Sequence, residues 1–294
     1  MYRYAIIEAP SRLGLSTGGV EGLSGRLLEL GLAERIGARR AGGLAVPAGQ
    51  ASPDPETKVL NAREIAAWSP SLADTVTTVL DAGDFPIVLG GDCSILLGSM
   101  LALRRRGRYG LLFIDGHADF FQPEADPKGE VASMDLAFAT GHGPAVLADL
   151  EHRRPLVRAG DVVAVGYRDH EDQAEYGSQP LPADLKAFDL PAVRRLGIAA
   201  VARAAIEHLT RPELDGFFIH VDADCLDDAI MPAVDFRIAD GLSTDDLVLL
   251  LRTALASDKP VGLDVTIYNP RLDQDGNAGR ILVEALAAGL AQGR

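Results

Sequence analysis

The sequence predicts an α/β protein built on a mainly parallel sheet, and three observations carry that prediction. Short apolar runs rich in β-branched residues alternate with longer stretches of helical periodicity along the whole chain. The apolar runs are nearly continuous instead of alternating, as expected of strands covered on both faces. The longer irregular stretches each follow a strand, the position where open α/β sheets assemble their sites.

In chain order, "YAIIE" (4–8), "FPIVLG" (85–90), "GLLFID" (110–115), "DVVAVGY" (161–167), "GFFIHVD" (216–222) and "PVGLDV" (260–265) read as buried strands. Residues 61–83, 94–107, 190–209 and 243–257 read as the intervening helices. The last of these opens on Ser243-Thr244-Asp245-Asp246, side chains able to cap exposed amides. The Gly/Pro-rich stretch 41–56 reads as a surface loop and not a domain linker, because the short βα unit before it cannot enclose a core alone. One domain over residues 1–294 is expected. Loops 120–135, 168–182 and 268–279 are the candidate site builders.

Composition narrows the function classes. An apolar fraction of 47% over 294 residues supports a substantial core. A formal charge of −14 excludes a general nucleic-acid binder, which needs a basic footprint, and suits a cationic small substrate. No apolar run reaches the roughly 18 residues of a membrane span. No signal-peptide pattern opens the chain, so a cytoplasmic location is expected. Cys93 and Cys225 are too few for a disulfide framework, although they would pair if the fold brought them together.

Two stretches concentrate the chemistry. "IDGHADF" spaces Asp115, His117 and Asp119 at i, i+2 and i+4, and "HVDADCLDD" spaces Asp222 and Asp224 at i and i+2. In extended backbone, alternate residues share a face, so each stretch aims its polar groups together where a strand ends. Four carboxylates gathered there would repel one another unless a cation sat among them. Oxygen donors with one imidazole favour Mn²⁺, with Fe, Co, Ni or Zn as alternatives.

With "GGDCS" (90–94), "DGHAD" (115–119) and "DADCLDD" (222–228) in this order, the chain resembles the ureohydrolase superfamily, which includes arginase, agmatinase and formimidoylglutamase. The signatures of that superfamily look like GGDHS, DAHxD and DVDxLDP, and supporting matches include "GYRD" (166–169) and "LDVTIYNPRLD" (263–273). The resemblance implies a three-layer αβα sandwich with a parallel, about eight-stranded sheet, two Mn²⁺ sites and a homo-oligomer, trimeric or hexameric. It further implies that Asp115 and Asp222 bridge two ions, that His117 and Asp224 complete one ion, and that Asp119 and Cys93 fall on the other. In such enzymes a metal-bridging hydroxide attacks the substrate carbon, with the aspartate matching Asp119 hydrogen-bonded to it.

Three departures lie at the chemistry. Cys93 stands where the signature has a ligand histidine, and reads either as an inert buried thiol or as a thiolate ligand, which leaves that Mn²⁺ site weak. Ala132 occupies the position of a proton-transferring histidine, with His142 nearby in sequence. Ile267 replaces the glutamate that grips a guanidinium, leaving Asp264, Asp273 or Glu130 to supply a carboxylate from another direction. In "RDHEDQAE" (168–175), Glu171 and Glu175 are candidates for holding the far end of a substrate. The expected function is metal-dependent hydrolysis of a C–N bond in a small linear amidine other than plain arginine. The alternative is a catalytically degraded member acting as a binding or assembly protein.

Overall fold

The computed structural model describes residues 2–291. Eight strands form one sheet: β1 (Tyr4–Glu8), β2 (Arg39–Gly43), β3 (Phe85–Leu89), β4 (Tyr109–Ile114), β5 (Val162–Val165), β6 (Lys186–Phe188), β7 (Gly216–Asp222) and β8 (Pro260–Thr266). They run parallel throughout, in the order β2-β1-β3-β8-β7-β4-β5-β6. Every residue of β3 and β7 is buried, which explains their continuous apolar runs. The edge strands β2, "RRAGG", and β6, "KAF", are exposed or half-buried, and neither stands out as a strand in the sequence. The three-layer expectation with an eight-stranded parallel sheet is met.

Helices cover both faces. On one lie α1 (Leu23–Glu29), α2 (Leu32–Ile36), α8 (Leu190–Leu196), α9 (Ile198–Leu209), α10 (Thr244–Leu255) and α11 (Asn277–Leu290), whose apolar residues form one core cluster. On the other, α3 (Ala62–Asp81), α4 (Ile95–Arg106), α5 (Asp135–Ala139) and α6 (Ala145–Ala148) form the second. The remaining helix, α7 (His170–Tyr176), buries none of its residues. The helix expected over 190–209 is two, α8 and α9. They break at Gly197, whose φ of 81° is left-handed backbone that glycine adopts at no steric cost. The cap expected at Ser243 is present: its Oγ accepts the Asp246 N–H at 3.1 Å, and the Asp246 carboxylate accepts the Ser243 N–H at 3.0 Å. Cys93 and Cys225 are both buried and unpaired. No helix among the described residues is long and apolar enough to cross a membrane.

Two rows of side chains on the central strands position the site. In register, Phe113 of β4 lies beside His220 of β7, which lies beside Asp264 of β8. Two residues further on, at the C-terminal end, Asp222 pairs with Thr266, and Asp115 directly follows β4. Strand alternation puts His220 on the same face as Asp222, one layer deeper.

Candidate active site

Four strand ends, β3, β4, β7 and β8, converge on one polar cluster. After β3 the chain turns through Gly90 and Gly91, and a side chain on Gly91 would collide with the Ser11 backbone. Asp92 braces the turn, accepting the Ser11 hydroxyl at 2.7 Å and the Ser94 N–H at 2.8 Å. Cys93 then faces inward, where its Sγ donates to Asp222 Oδ2 at 3.0 Å. After β4, Asp115 Oδ1 accepts the His117 N–H at 2.7 Å, and after β7, Asp222 Oδ1 accepts the Asp224 N–H at 2.8 Å. The two turns are tied together, since Asp224 Oδ1 accepts the Gly116 N–H at 3.0 Å and His117 Nδ1 lies 2.9 Å from Asp224 Oδ2. Asp119 sits at a φ of 45°, a left-handed conformation that departs from the extended spacing expected for this stretch.

Three groups of donors overlap here. Asp115 with His117 and Asp119, Asp115 with Asp222 and Asp224, and Cys93 with His220 and Asp222 each offer ligand atoms within 4.8 Å of one another. The electrostatics fit a cationic occupant. Burial, then the neighbouring Asp115 and Asp135, pushes the Asp119 carboxyl well above the carboxylate range, and burial with Asp224 and Asp115 does the same to Asp222. Burial would also raise Asp115, but His117 and His220 outweigh it and hold that carboxyl below its ordinary value. Asp115 Oδ2 and His220 Nε2 are buried with no hydrogen-bond partner among the described residues. Such orphaned donors, with oxygen, nitrogen and sulfur atoms converging, suit one or two divalent transition ions.

The cluster forms one wall of a cavity of about 360 Å³ that also takes in Ala132, Ile267, Asp169, Asp172, Tyr176 and Phe236. Ile267 closes it at a φ of 69°, held by its N–H to Gly91 O at 2.7 Å. A β-branched residue there carries strain of about 1–3 kcal/mol, of the kind found at functional sites.

Cys93, Asp115, His117, Asp119, Asp222 and Asp224 therefore meet in space. The predicted substrate contacts do not. Asp264 is wholly buried within β8 and hydrogen-bonded to His220 Nδ1 at 2.8 Å, so it cannot reach a substrate in the cavity. Glu171 and Glu175 are exposed and do not line the cavity: α7 turns Asp172 and Tyr176, one position on in each case, towards it. Asp273 instead caps α11, accepting the Ala278 and Gly279 N–H groups. Glu130 lines the cavity but is engaged by the backbone and hydroxyl of Ser16. His142 packs its ring on Phe120 and pairs with Thr140, outside the cavity.

Within the polar cluster, two residues escaped the sequence reading. His220 lies in the interior of "GFFIHVD", where an apolar strand disguised it, although its i−2 spacing from Asp222 puts both on one face. Asp135 opens α5, fully buried, with neither oxygen hydrogen-bonded among the described residues. Burial above all pushes its carboxyl up to about 8.

A parallel αβα sheet carrying carboxylates and imidazole at its central strand ends defines a candidate metal-binding enzyme centre. Residues 33–291 match the model of the arginase family, and the chain belongs to that family. Arginase of Staphylococcus aureus (strain COL) is 30% identical over 220 residues, 74% of this chain and 71% of that protein. Arginase of Brevibacillus brevis is 29% identical over 228 residues, 76% and 75% of the two chains. The solved structure of arginase from Bacillus caldovelox shares the fold with a TM-score of 0.88 at 24% identity, covering 100% of this chain and 99% of that one. The resemblance read from the three signatures is thereby confirmed, and the chain is an enzyme of the amidinohydrolase type.

Proposed function

We propose that this enzyme hydrolyses a C–N bond of a small linear amidine or guanidino compound at a centre of two divalent cations, with Mn²⁺ as the ion. The convergence of Asp115, His117, Asp119, Asp222 and Asp224 at the ends of β4 and β7 carries the reading. In it, Asp115 and Asp222 would hold both ions, with His117 and Asp224 as further ligands. Two cations sharing carboxylates acidify water enough to supply hydroxide near neutral pH. The chain's own groups do the rest. Asp169 and Asp172 place negative charge on the cavity wall, which favours a cationic substrate. Ala132 and Ile267 present an apolar surface next to the ligands and offer no carboxylate of their own to a guanidinium. The reading therefore makes plain arginine a poor substrate, although the curated relatives named above are arginases. Location in the cytoplasm and assembly as a homo-oligomer belong to the same proposal, on the strength of the family.

The test is a panel of linear amidines, arginine and agmatine included, offered to Mn²⁺-loaded protein while urea and ammonia release are followed. Arginine and agmatine should stay below about 1 s⁻¹, slow for an enzyme, while another amidine exceeds them. Ile267→Glu should then raise kcat/KM for arginine. Rapid arginine hydrolysis by the unaltered chain would remove the specificity reading. If no compound reacts and no ion binds, the alternative of a degraded binding or assembly protein, motivated by Cys93, Ala132 and Ile267, takes its place.

A further inference from the structure

The imidazole missing at position 93 has a counterpart one layer deeper. His220 is completely buried in the central strand β7, its ring stacked on Phe113 with centroids 4.7 Å apart and planes inclined by 12°. Its Nδ1 is 2.8 Å from Asp264 Oδ1, a carboxylate that is itself completely buried. Its other nitrogen, Nε2, has no hydrogen-bond partner among the described residues and lies 3.7 Å from Asp115 Oδ2, which also has none. Ligand atoms of Cys93, His220 and Asp222 fall within 4.8 Å of one another.

A carboxylate accepting the N–H of one imidazole nitrogen fixes the tautomer and leaves the lone pair on the other, which is how metal-binding histidines are oriented. A histidine in the middle of a sheet, stacked on one side and anchored on the other, has little freedom to point elsewhere. Cys93 meanwhile holds its Sγ as a thiol donating to Asp222 Oδ2 at 3.0 Å.

We propose that His220 is a metal ligand of this enzyme, its Nε2 serving the ion on the Cys93 side in place of the imidazole that position 93 lacks, with Asp264 as its positioning residue. This rests on reading the cluster as a two-ion centre. The imidazole has moved from the loop after β3 to the interior of β7, so it approaches the ion from beneath the sheet end instead of from the loop. Asp115 is then flanked by an imidazole on each side, with His117 Nδ1 and His220 Nε2 each 3.7 Å from one of its oxygens.

The experiment counts imidazoles on bound Mn²⁺ in the full-length chain by electron spin-echo modulation from ligand nitrogen. His117→Asn removes the imidazole that the family signature already assigns. Expected are retention of Mn²⁺ by His117→Asn, persistence of its nitrogen modulation, and loss of that modulation in the His117→Asn/His220→Asn double variant. Mn²⁺ affinity on the Cys93 side should fall at least about tenfold in His220→Asn and about 10–100-fold in Asp264→Asn, the range for lost positioning partners. Adding Cys93→His to His220→Asn should recover it. If His117→Asn binds no Mn²⁺, or binds it without nitrogen modulation, His220 is not a ligand, and this reading needs no folded His220 variant to fail. Binding of Mn²⁺ by the unaltered chain in that event leaves the hydrolase proposal standing. No binding by the unaltered chain removes both.

Discussion

The two sides of the cluster solve the same electrostatic problem differently. On the His117 side the donors satisfy one another: His117 lies 2.9 Å from Asp224, Asp224 also holds the Gly116 N–H, and Asp222 holds the Asp224 N–H. That side consists of two interlocked turns held by their own hydrogen bonds. On the Cys93 side, His220 Nε2 and both oxygens of Asp135 are buried with no hydrogen-bond partner among the described residues. Buried polar atoms in this condition are costly, and buried charges more so. The difference teaches that the cation requirement is concentrated on one side. An ion there would relieve groups that the protein leaves unsatisfied, whereas on the His117 side it would exchange one satisfied arrangement for another.

The strongest break of this comparison is at the residue common to both sides. Asp115→Asn keeps an oxygen to accept the His117 N–H, so the turn should survive, but it removes the negative charge the two sides share. Mn²⁺ affinity should fall on both sides by more than about 100-fold, beyond the usual cost of losing a residue that only orients a ligand. Calorimetric titration checks this. One site retained at unchanged affinity would mean that Asp115 serves a single ion.

A smaller effect is expected at Cys93. Its thiol lies far above its ordinary pKa, first through burial and then through Asp222, Asp135, Asp119 and Asp115, and a neutral thiol is a poor partner for a hard cation. Cys93→Ser should therefore leave Mn²⁺ affinity within about twofold, and Cys93→His should raise it about tenfold on that side only, since imidazole suits the ion better. A sharp loss in Cys93→Ser would identify a thiolate ligand after all. No gain in Cys93→His would show that position 93 does not face the ion.

The same contrast marks what was legible in the sequence. The His117 side is encoded by residues two apart in short turns at strand ends, so "DGHAD" and "DAD" announce it locally. The Cys93 side is assembled from β3, α5, β7 and β8, and the contact between His220 and Asp264 spans 44 residues. Strand alternation fixes the face of His220, two residues before Asp222, but not the identity of its neighbour, and an apolar strand hid it. The central strands were legible because burial on both sides demands continuous apolar runs, and β2 and β6 were not because edges make no such demand. Glu171 and Glu175 failed by one residue. Where a helix starts after its strand sets its rotation, and a rotation error of one position moves a side chain by about 100° around the axis.

The smallest effect tests the unsatisfied side without any ion. Asp135, buried above all and beside Asp119, Asp115, His220 and Cys93, has its carboxyl raised to about 8, whereas an unfolded chain releases that proton near pH 4. Between those values the native state holds a proton that the unfolded state has lost, so its contribution to stability is complete below about pH 4 and disappears as pH rises through about 8. Urea unfolding of chelator-treated protein should accordingly show lower stability at pH 8 than at pH 5. Asp135→Asn is neutral at both, so its stability should fall less over the same interval. The slope that remains belongs to the other buried groups raised in the same direction, Asp119, Asp222, His117 and His220 among them. Adding Mn²⁺ should flatten or reverse the dependence, because an ion competes with protons for these groups. An identical pH dependence in the chelated protein and its Asp135→Asn variant would mean that Asp135 is already satisfied, and the Cys93 side would then be less dependent on a cation than its unpartnered atoms indicate.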